Sequence, residues 1–540
     1  MNPNIAARLT RQAEVHPTKS AIVAWRHGRR RAVSYQELAE RVSATAAGLS
    51  GRGVSAGDRV LLFVPMSIDL YVALLAVLHL GAEAVFVDAW ATAERVNAAI
   101  RAANPRAWIG TPMAQLLRLR SAALRRIPIS VVAGRGWSLR RLEDREHQRD
   151  ASPVTPDTVA LVTFTTGSTG APKAAARSHG FLWAQHEALA AHLGLTGSDI
   201  DMPTLPVFVL NNLALGITSV LPDFDPRKPS QFDPAAVLTQ LRTEQVSTLV
   251  ASPAFCERLV AEVLRRGEQL PLRRLFTGGA PVLPPLLRNL SRVMLQGAEV
   301  IYGSTEAEPI SGIAVADMLA SQRQRTADDP IGRARVSGDG CDEGLCVGYP
   351  VQGIAVRIIR PFDGPIHVSG SDWSPWDLES GATGEIIVSG RHVLTGYLDD
   401  PAADAAHKIH DGDRIWHRTG DAGYRDARGR LWLMGRVQRR VERDGRTWWP
   451  LPAELRAFEV DGIQHAACIT LPPDDRALLC VELAAGGDRT VAERALRAAL
   501  HPWPIDRIVF LSHIPRDPRH ASKTDHDALR TLLSSAGGAG

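Results

Sequence analysis

Hydroxyls, glycines and a lysine crowd the stretch Thr163–Gly180, TFTTGSTGAPKAAARSHG, directly after the apolar run Val159-Ala160-Leu161-Val162. The run reads as a buried strand. A Gly/Ser/Thr loop leaving such a strand offers backbone N–H groups and hydroxyls with no bulk in the way, which suits phosphate oxygens. Lys173 adds a mobile positive charge. The Walker A pattern is not met, because Ala171 and Pro172 separate Gly170 from Lys173. Taken alone, the stretch favours phosphate binding only moderately over the plainer reading of a flexible surface loop.

The order Thr165-Thr166-Gly167-Ser168-Thr169-Gly170-Ala171-Pro172-Lys173 resembles the phosphate loop of the adenylate-forming superfamily, which includes acyl-CoA synthetases, peptide-synthetase adenylation domains and luciferases. Further stretches match that superfamily in the same order over roughly residues 10–530. Gly278-Gly279-Ala280-Pro281 looks like its adenine-side loop, and Tyr302-Gly303-Ser304-Thr305-Glu306 its Y-G-x-T-E. Thr419-Gly420-Asp421, Gly435-Arg436 and Pro515-Arg516 with Lys523 resemble the T-G-D, G-R and C-terminal P-R…K elements.

The resemblance implies ATP and Mg²⁺ as cofactors and a small-molecule carboxylic acid as substrate, with CoA required only if a thioester follows. It assigns Tyr302 to the adenine face, Asp421 with Arg436 to the ribose hydroxyls, Thr305 to the α-phosphate and Glu306 to the metal. Magnesium prefers hard carboxylate and phosphate oxygens. Lys523 becomes the electrostatic centre. A carboxylate attacking phosphorus brings two anions together, and an ammonium there favours the transition state over the ground state.

Four departures from the superfamily pattern stand out. Lys173 is followed by Ala174 rather than glycine. Leu205-Pro206-Val207-Phe208-Val209 runs into Asn211-Asn212 where an aromatic or histidine is usual. Glu442 takes the basic position of K-x-x-G in Glu442-Arg443-Asp444-Gly445. The segment Arg446–Glu454 is longer than the common form. That last region ordinarily serves the thioester step, so the changes weigh against CoA chemistry and leave adenylation untouched.

The stretches YGSTEAEPISGI from Tyr302 and HRTGDAGYRDARGRLW from His417 look like the β-lactone synthetases of bacterial olefin biosynthesis. So do Val441-Glu442 ahead of Pro452-x-Glu454, and Asp517-x-Arg519-His520-x-x-Lys523. The resemblance implies that a fatty or β-hydroxy acid is adenylated and that its own hydroxyl then closes on the acyl carbon. A tethered hydroxyl has a high effective concentration, so no CoA site is needed. Acyl-CoA formation is the alternative, and a non-catalytic acyl- or nucleotide-binding module the alternative of another class. His179 and His520 are candidate assistants in proton transfer, with a hydrogen-bonded structural role the competing reading of each. Trp448-Trp449 could wall an apolar channel or simply pack the C-terminal domain.

The elements that must position these residues follow from periodicity. Helical spacing at Tyr35–Arg52, Leu70–Leu80 and Ala93–Ala103 alternates with short β-type runs at Arg59–Val64, Val85–Asp88 and Ala107–Gly110. The same rhythm returns at Pro234–Glu244, Thr248–Ala251, Phe255–Arg266 and Arg274–Thr277. Alternation of this kind implies largely parallel sheets covered by helices. From about 340 the pattern turns to short β segments (Val356–Ile359, Gly384–Ser389, Arg430–Met434) around a loop at Pro361–Gly381. Strands at Ala466–Leu471 and Leu478–Leu483 and a helix at Val491–Leu500 form a last small unit.

The expected fold class is therefore multi-domain α/β. Residues 1–434 form a large region of αβ-layered subdomains with a β-rich subdomain at about 340–434. Residues 435–439 form a hinge, and residues 440–540 a small mobile α+β domain carrying Lys523.

The totals agree. A chain of 540 residues exceeds one core and suggests about three or four lobes. Its net charge of +4, with arginines dispersed, gives no nucleic-acid footprint. The basic cluster Arg26–Arg31 reads as a solvated hairpin turn around Gly28. Five cysteines, odd in number and scattered, suit free thiols in a reducing cytoplasm better than a zinc site or a disulfide framework. The first residues lack the apolar core of a signal peptide. Leu70–Val87, broken by His79, Gly81 and Glu83, reads as a buried helix and strand and not as a membrane span.

Overall fold

A computed structural model describes residues 2–87, 93–134, 150–166, 172–224, 231–294, 297–328, 344–471, 476–517 and 523–536. The apolar run that opens the phosphate-loop candidate is a strand, Val159–Thr166, within a six-stranded sheet. Its order is Ile129–Val132, Ala107–Gly110, Arg59–Phe63, Glu83–Phe86, Val159–Thr166 and Pro172–Ser178. All neighbours are parallel except the last pair. Strands buried on both faces carry continuous apolar runs without alternation. The strand expected at Val85–Asp88 lies two residues earlier, at Glu83–Phe86.

A second sheet is longer. Its parallel part joins Ser20–Arg26, Thr218–Leu221, Ile200–Pro203, Thr248–Ala251, Arg274–Gly278 and Ala298–Ser304. It continues antiparallel through Ala307–Ala314 and Leu345–Pro350 into Leu431–Arg436, Arg414–Arg425, Gly384–Gly390 and Ile354–Ile359. The turn-rich β region expected from about 340 is thus present, and Leu345–Pro350 makes its hydrogen bonding continuous with the αβ sheet. Helix Ile68–His79 is buried at every position but Asp69. One core cluster containing it includes Val60 and Leu62 of the first sheet and Ile22 and Leu221 of the second. A helix apolar all round belongs between two layers. No helix among the described residues is long and apolar enough to cross a membrane.

The hairpin expected at the basic cluster forms between Ser20–Arg26 and Arg29–Ser34, with Gly28 at φ 71° and Arg30 paired to Glu244 at 2.8 Å. Pro361–Gly381 is an irregular excursion anchored by buried Trp373, which meets Trp416 edge-on at 5.5 Å. Cys256, Cys346, Cys468 and Cys480 are free, buried thiols; Cys341 lies outside the described residues.

The small C-terminal unit has a three-stranded sheet, Ile463–Leu471, Arg476–Leu483 and Arg507–Leu511, with helices Pro450–Ala457, Arg489–Ala499 and His526–Ala536. Between it and the large sheet stands a short hairpin, Val441–Arg443 with Arg446–Trp448. Asp444 and Gly445, at φ 53° and 70°, make its turn. Paired positive φ values in a two-residue loop match the twist of the strands, which is why Asp-Gly suits it.

Beneath Thr419–Asp421, Arg418 and Glu385 form a buried ion pair of 2.6 Å. The guanidinium also donates to the carbonyls of Gly364 and Phe362, each at 2.6 Å. Removing one member strands the other charge in the core. Arg418→Met should cost about 3–5 kcal/mol, seen as a lowered melting midpoint. Adding Glu385→Leu should recover part of that loss.

Candidate active site

The candidate residues are carried on strand ends. Thr165 pairs with Lys173 and Thr166 with Pro172 across the hairpin of the six-stranded sheet. Gly167, Ser168, Thr169 and Gly170 lie outside the described residues, as do the side chains of Thr165 and Thr166. The stems of the loop are therefore placed and its tip is not described. Lys173 is buried, hydrogen-bonded to His407 Nε2, with Nζ 5.7 Å from the Tyr397 ring centroid. Burial lowers its pKa, opposed by Glu306 and Asp400.

On the long sheet, Gly278 pairs with Ile301, so the adenine-side loop Gly279-Ala280-Pro281 leaves the sheet beside Tyr302. A side chain at Gly278 would meet the Ile301 carbonyl at 2.3 Å. One at Gly303 would meet the Ala307 carbonyl at 2.9 Å, so the tight turn after Tyr302 depends on glycine. Tyr302 is buried, and its hydroxyl donates to Asp421 Oδ2 at 2.8 Å. Arg436 Nε faces Asp421 Oδ1 at 3.2 Å, and its Nη1 donates to the Thr419 carbonyl at 3.0 Å. Asp421 and Arg436 are cross-strand partners in register. The expected adenine and ribose residues thus form one connected group.

The turn with Thr305 and Glu306 is held from several sides. Arg177, fully buried, donates through Nη2 to the Thr305 carbonyl at 2.9 Å. The Glu306 N–H donates to Ser304 Oγ at 3.2 Å, and the Leu394 N–H to the Glu306 carbonyl at 2.7 Å. The Tyr397 hydroxyl donates to Glu306 Oε1 at 3.1 Å. Burial lowers the pKa of Lys173, Arg177 and Lys408, and Glu306 is among the anions that oppose it; that of Arg436 is raised by Asp421 first.

Lys408, Tyr397 and His407 were not anticipated. Lys408 is buried, donates to the Leu394 carbonyl, sits 3.2 Å from His417 Nδ1 and lies 5.1 Å from the Tyr397 ring centroid. Burial brings its pKa down to about 8, opposed by Glu306 and Asp404. His407 is brought down to about 4 by burial first and Lys173 second, so it is a neutral acceptor for that ammonium. A lysine beside a histidine within HKIHDG gives little warning of this. The only sequence signal is a charge placed where a strand begins.

These contacts form two groups, Tyr302 with Asp421 and Arg436, and Glu306 with Lys173 through Tyr397. Lys523 enters on another element, the small domain. Its carbonyl accepts the Asp517 N–H at 2.7 Å, while neighbouring Thr524 bridges to Arg516 and lies 3.2 Å from His465 Nε2. His179 is a core residue whose Nδ1 accepts the Ile5 N–H at 3.1 Å, and burial brings its pKa down to about 4. His520 lies outside the described residues. Trp449 packs into the large core cluster, and Trp448 meets Trp503 edge-on at 6.5 Å.

A family model described as AMP-binding enzyme matches residues 9–398. The chain belongs to that family. It is an AMP-forming ligase, and the multi-domain α/β fold is that of its relatives. An olefin β-lactone synthetase of Stenotrophomonas maltophilia is 33% identical, with 98% of each chain covered. One from Xanthomonas campestris is 34% identical over 97% of this chain and 96% of that one. A feruloyl-CoA synthase of Amycolatopsis is 28% identical over 87% and 86%. Among solved structures, ATP-bound MatB of Rhodopseudomonas palustris superposes with a TM-score of 0.81 at 22% identity, covering 99% of this chain and all of that one. At that identity the likeness concerns the fold.

Magnesium in a nucleotide site takes most of its ligands from phosphate and water. Among the described residues no cluster of three or more His, Cys, Asp or Glu forms a metal cage. Glu306, set among cations, is the carboxylate that fits a nucleotide-borne magnesium. Lys408 acts on Glu306 at two points, through Leu394 on its carbonyl and through Tyr397 on its carboxylate. Lys408→Met should slow acid-dependent ATP–pyrophosphate exchange on the order of 10–100-fold and raise the Mg²⁺ concentration needed for half-maximal rate. A lowered melting temperature with unchanged Mg²⁺ dependence would reduce Lys408 to a packing residue.

Proposed function

We propose that this ligase activates a fatty or β-hydroxy acid with Mg²⁺-ATP, and that the acyl adenylate then closes on its own β-hydroxyl to give a β-lactone. The observation that carries this reading is likeness along nearly the whole chain to two olefin β-lactone synthetases. The Glu442-Arg443-Asp444-Gly445 hairpin, which departs from the pattern usual in CoA-forming relatives, agrees with it.

In the first step a carboxylate oxygen of the acid bonds to the α-phosphorus of ATP, the bond to the pyrophosphate oxygen breaks, and pyrophosphate leaves. No base is required, since the attacking group is already ionised. Tyr302 offers the adenine a flat face, and Asp421, held by Tyr302 and Arg436, accepts from the ribose hydroxyls. Thr305 donates to the α-phosphate. Lys173, mobile once released from His407, serves the outer phosphates. Glu306 would hold magnesium, which when bound would neutralise phosphate charge. Lys523 is delivered by the small domain turning about residues 435–439, and stabilises the charge gathering at the α-phosphorus.

In the second step the β-hydroxyl oxygen bonds to the acyl carbon and the acyl–oxygen bond to AMP breaks. AMP takes that electron pair, and its phosphate is an acceptor for the hydroxyl proton. Intramolecular capture gains from proximity and needs no second substrate. His179, whose Nδ1 is occupied by the Ile5 amide, is better read as structural than as a base.

Exchange of labelled pyrophosphate into ATP should depend on a β-hydroxy fatty acid. Lys523→Ala should lower it on the order of 10²–10³-fold with folding intact; near-normal exchange would displace Lys523 from the centre of the reaction. Mass spectrometry should find the lactone and AMP whether or not CoA is present. A thioester formed only with CoA, and no lactone, would replace the second half of this reading.

A further inference from the structure

Three of the eight exposed large apolar side chains among the described residues lie between positions 113 and 119: Met113, Leu116 and Leu119, exposed by 73%, 54% and 77%. They belong to a short helix, Pro112–Gln115, that runs into a 3₁₀ turn, Leu116–Leu119. Side chains three apart eclipse one another in 3₁₀ geometry, so the three line one edge. The opposite side is already used. Ala114, Leu124 and Ile127 are buried in a core cluster with Trp108, and Leu117 packs against it. The outward edge is therefore not a misplaced core face.

Along its own segment this edge carries charge of one sign only. Between Thr111 and Pro128 the chain carries Arg118, Arg120, Arg125 and Arg126 and no aspartate or glutamate. Arg120, Arg125 and Arg126 are exposed. Arg125 folds back to donate to the carbonyls of Arg118 and Leu119, at 2.7 and 3.1 Å, which fixes the end of the 3₁₀ turn beneath the patch. The whole excursion connects Ala107–Gly110 to Ile129–Val132, the outermost strand of the six-stranded sheet, so it stands at the edge of the molecule's layers.

We propose that this patch docks the protein on an anionic lipid bilayer, with Met113, Leu116 and Leu119 entering the headgroup–acyl boundary and the arginines meeting lipid phosphates. An apolar edge rimmed by cations matches such a surface in both respects. Neither part suffices alone: a few apolar side chains give only marginal insertion, and a few cations give a salt-sensitive attraction. No spanning helix is involved, and attachment is reversible. The acid substrates proposed above are themselves sparingly soluble and partition into bilayers, so docking places the enzyme at their source. The docking claim does not depend on which reaction the site performs.

Sedimentation of the full chain with sucrose-loaded vesicles tests this. The chain should sediment with phosphatidylglycerol–phosphatidylcholine vesicles at low salt, be released at high salt, and stay in solution with phosphatidylcholine alone. Leu116→Ser with Leu119→Ser, and separately Arg120→Glu with Arg126→Glu, should each weaken partitioning by about tenfold or more. Both double variants should keep the parent's melting temperature and its vesicle-free ATP–pyrophosphate exchange. Failure to bind anionic vesicles would overturn the proposal, as would binding that both double variants retain. A wild-type dimer in sedimentation velocity that Leu116→Ser with Leu119→Ser disperses would also overturn it, since a second copy would then cover the patch.

Discussion

The site depends on one half-buried carboxylate. Glu306 attracts Lys173, Lys408 and, with Glu308, Arg177, while Arg436 is set first against Asp421. The first three of these cations are buried, and taking an ammonium or guanidinium out of water is costly unless charge and hydrogen bonds compensate it. The protein meets that cost by aiming them at a single turn. Arg177 grips the carbonyl of Thr305, while Lys408 holds the segment whose Leu394 and Tyr397 touch Glu306. What results is a carboxylate that cannot easily reorient, in a field ready for polyphosphate. A catalytic group that must meet charge as it develops benefits from being fixed beforehand.

The layers explain how distant stretches reach that turn. Parallel strands present their carboxyl ends on one side, so Thr277-Gly278 and Tyr302 emerge together from neighbouring strands. The antiparallel extension through Leu345–Pro350 then brings in Asp421 and Arg436 from beyond the parallel part. The six-stranded sheet supplies Lys173, joined to the β region by the bridge of Ala175 to Tyr397 and by the Leu398 N–H donating to the Ala174 carbonyl. The site lies where two sheets and the antiparallel extension meet, which is why no single local segment contains it.

That arrangement also sets what could be read from the chain. Tyr302, Thr305, Glu306, Asp421 and Arg436 stand in short stretches of recognisable composition and order, and hydrogen bonding ties Tyr302 to Asp421 beside Arg436. Lys408, His407, Tyr397 and Arg177 escaped because each acts through a partner far off in sequence, and none falls in a stretch whose local pattern suggests the pairing. Helices were legible where one face is polar, as at Pro234–Thr243 and Pro253–Arg266. The largely buried helix Ile68–His79 was legible from its helical apolar spacing, with its start misplaced by two residues because Ser67 capping Leu70 lies outside that run. Strand Glu83–Phe86 was placed two residues late; its first residue, Glu83, which breaks the apolar run, pairs with Arg59 at 2.8 Å.

The attachment of the small domain constrains how Lys523 could be delivered. Exposed pairs such as Arg440 with Asp363, at 2.9 Å, offer little resistance to movement. Helix Pro450–Ala457 is different. Leu451 and Leu455, with Trp449 just before them, belong to the same core cluster as Met434, Trp432 and Val300 of the long sheet. Fully exposing one such leucine costs about 1.5–3 kcal/mol, so a turn that stripped this face bare would be improbable at ordinary temperature. A swing about residues 435–439 must either carry the helix while keeping these side chains covered, or exchange their present cover for another apolar surface. Gly435, at φ 116° and with Pro450 only 2.8 Å from where a side chain would begin, sits one residue before the strand ends at Arg436, where that choice is made. The turn proposed for delivering Lys523 is therefore better described as rolling one apolar face over another than as free rotation on a flexible tether.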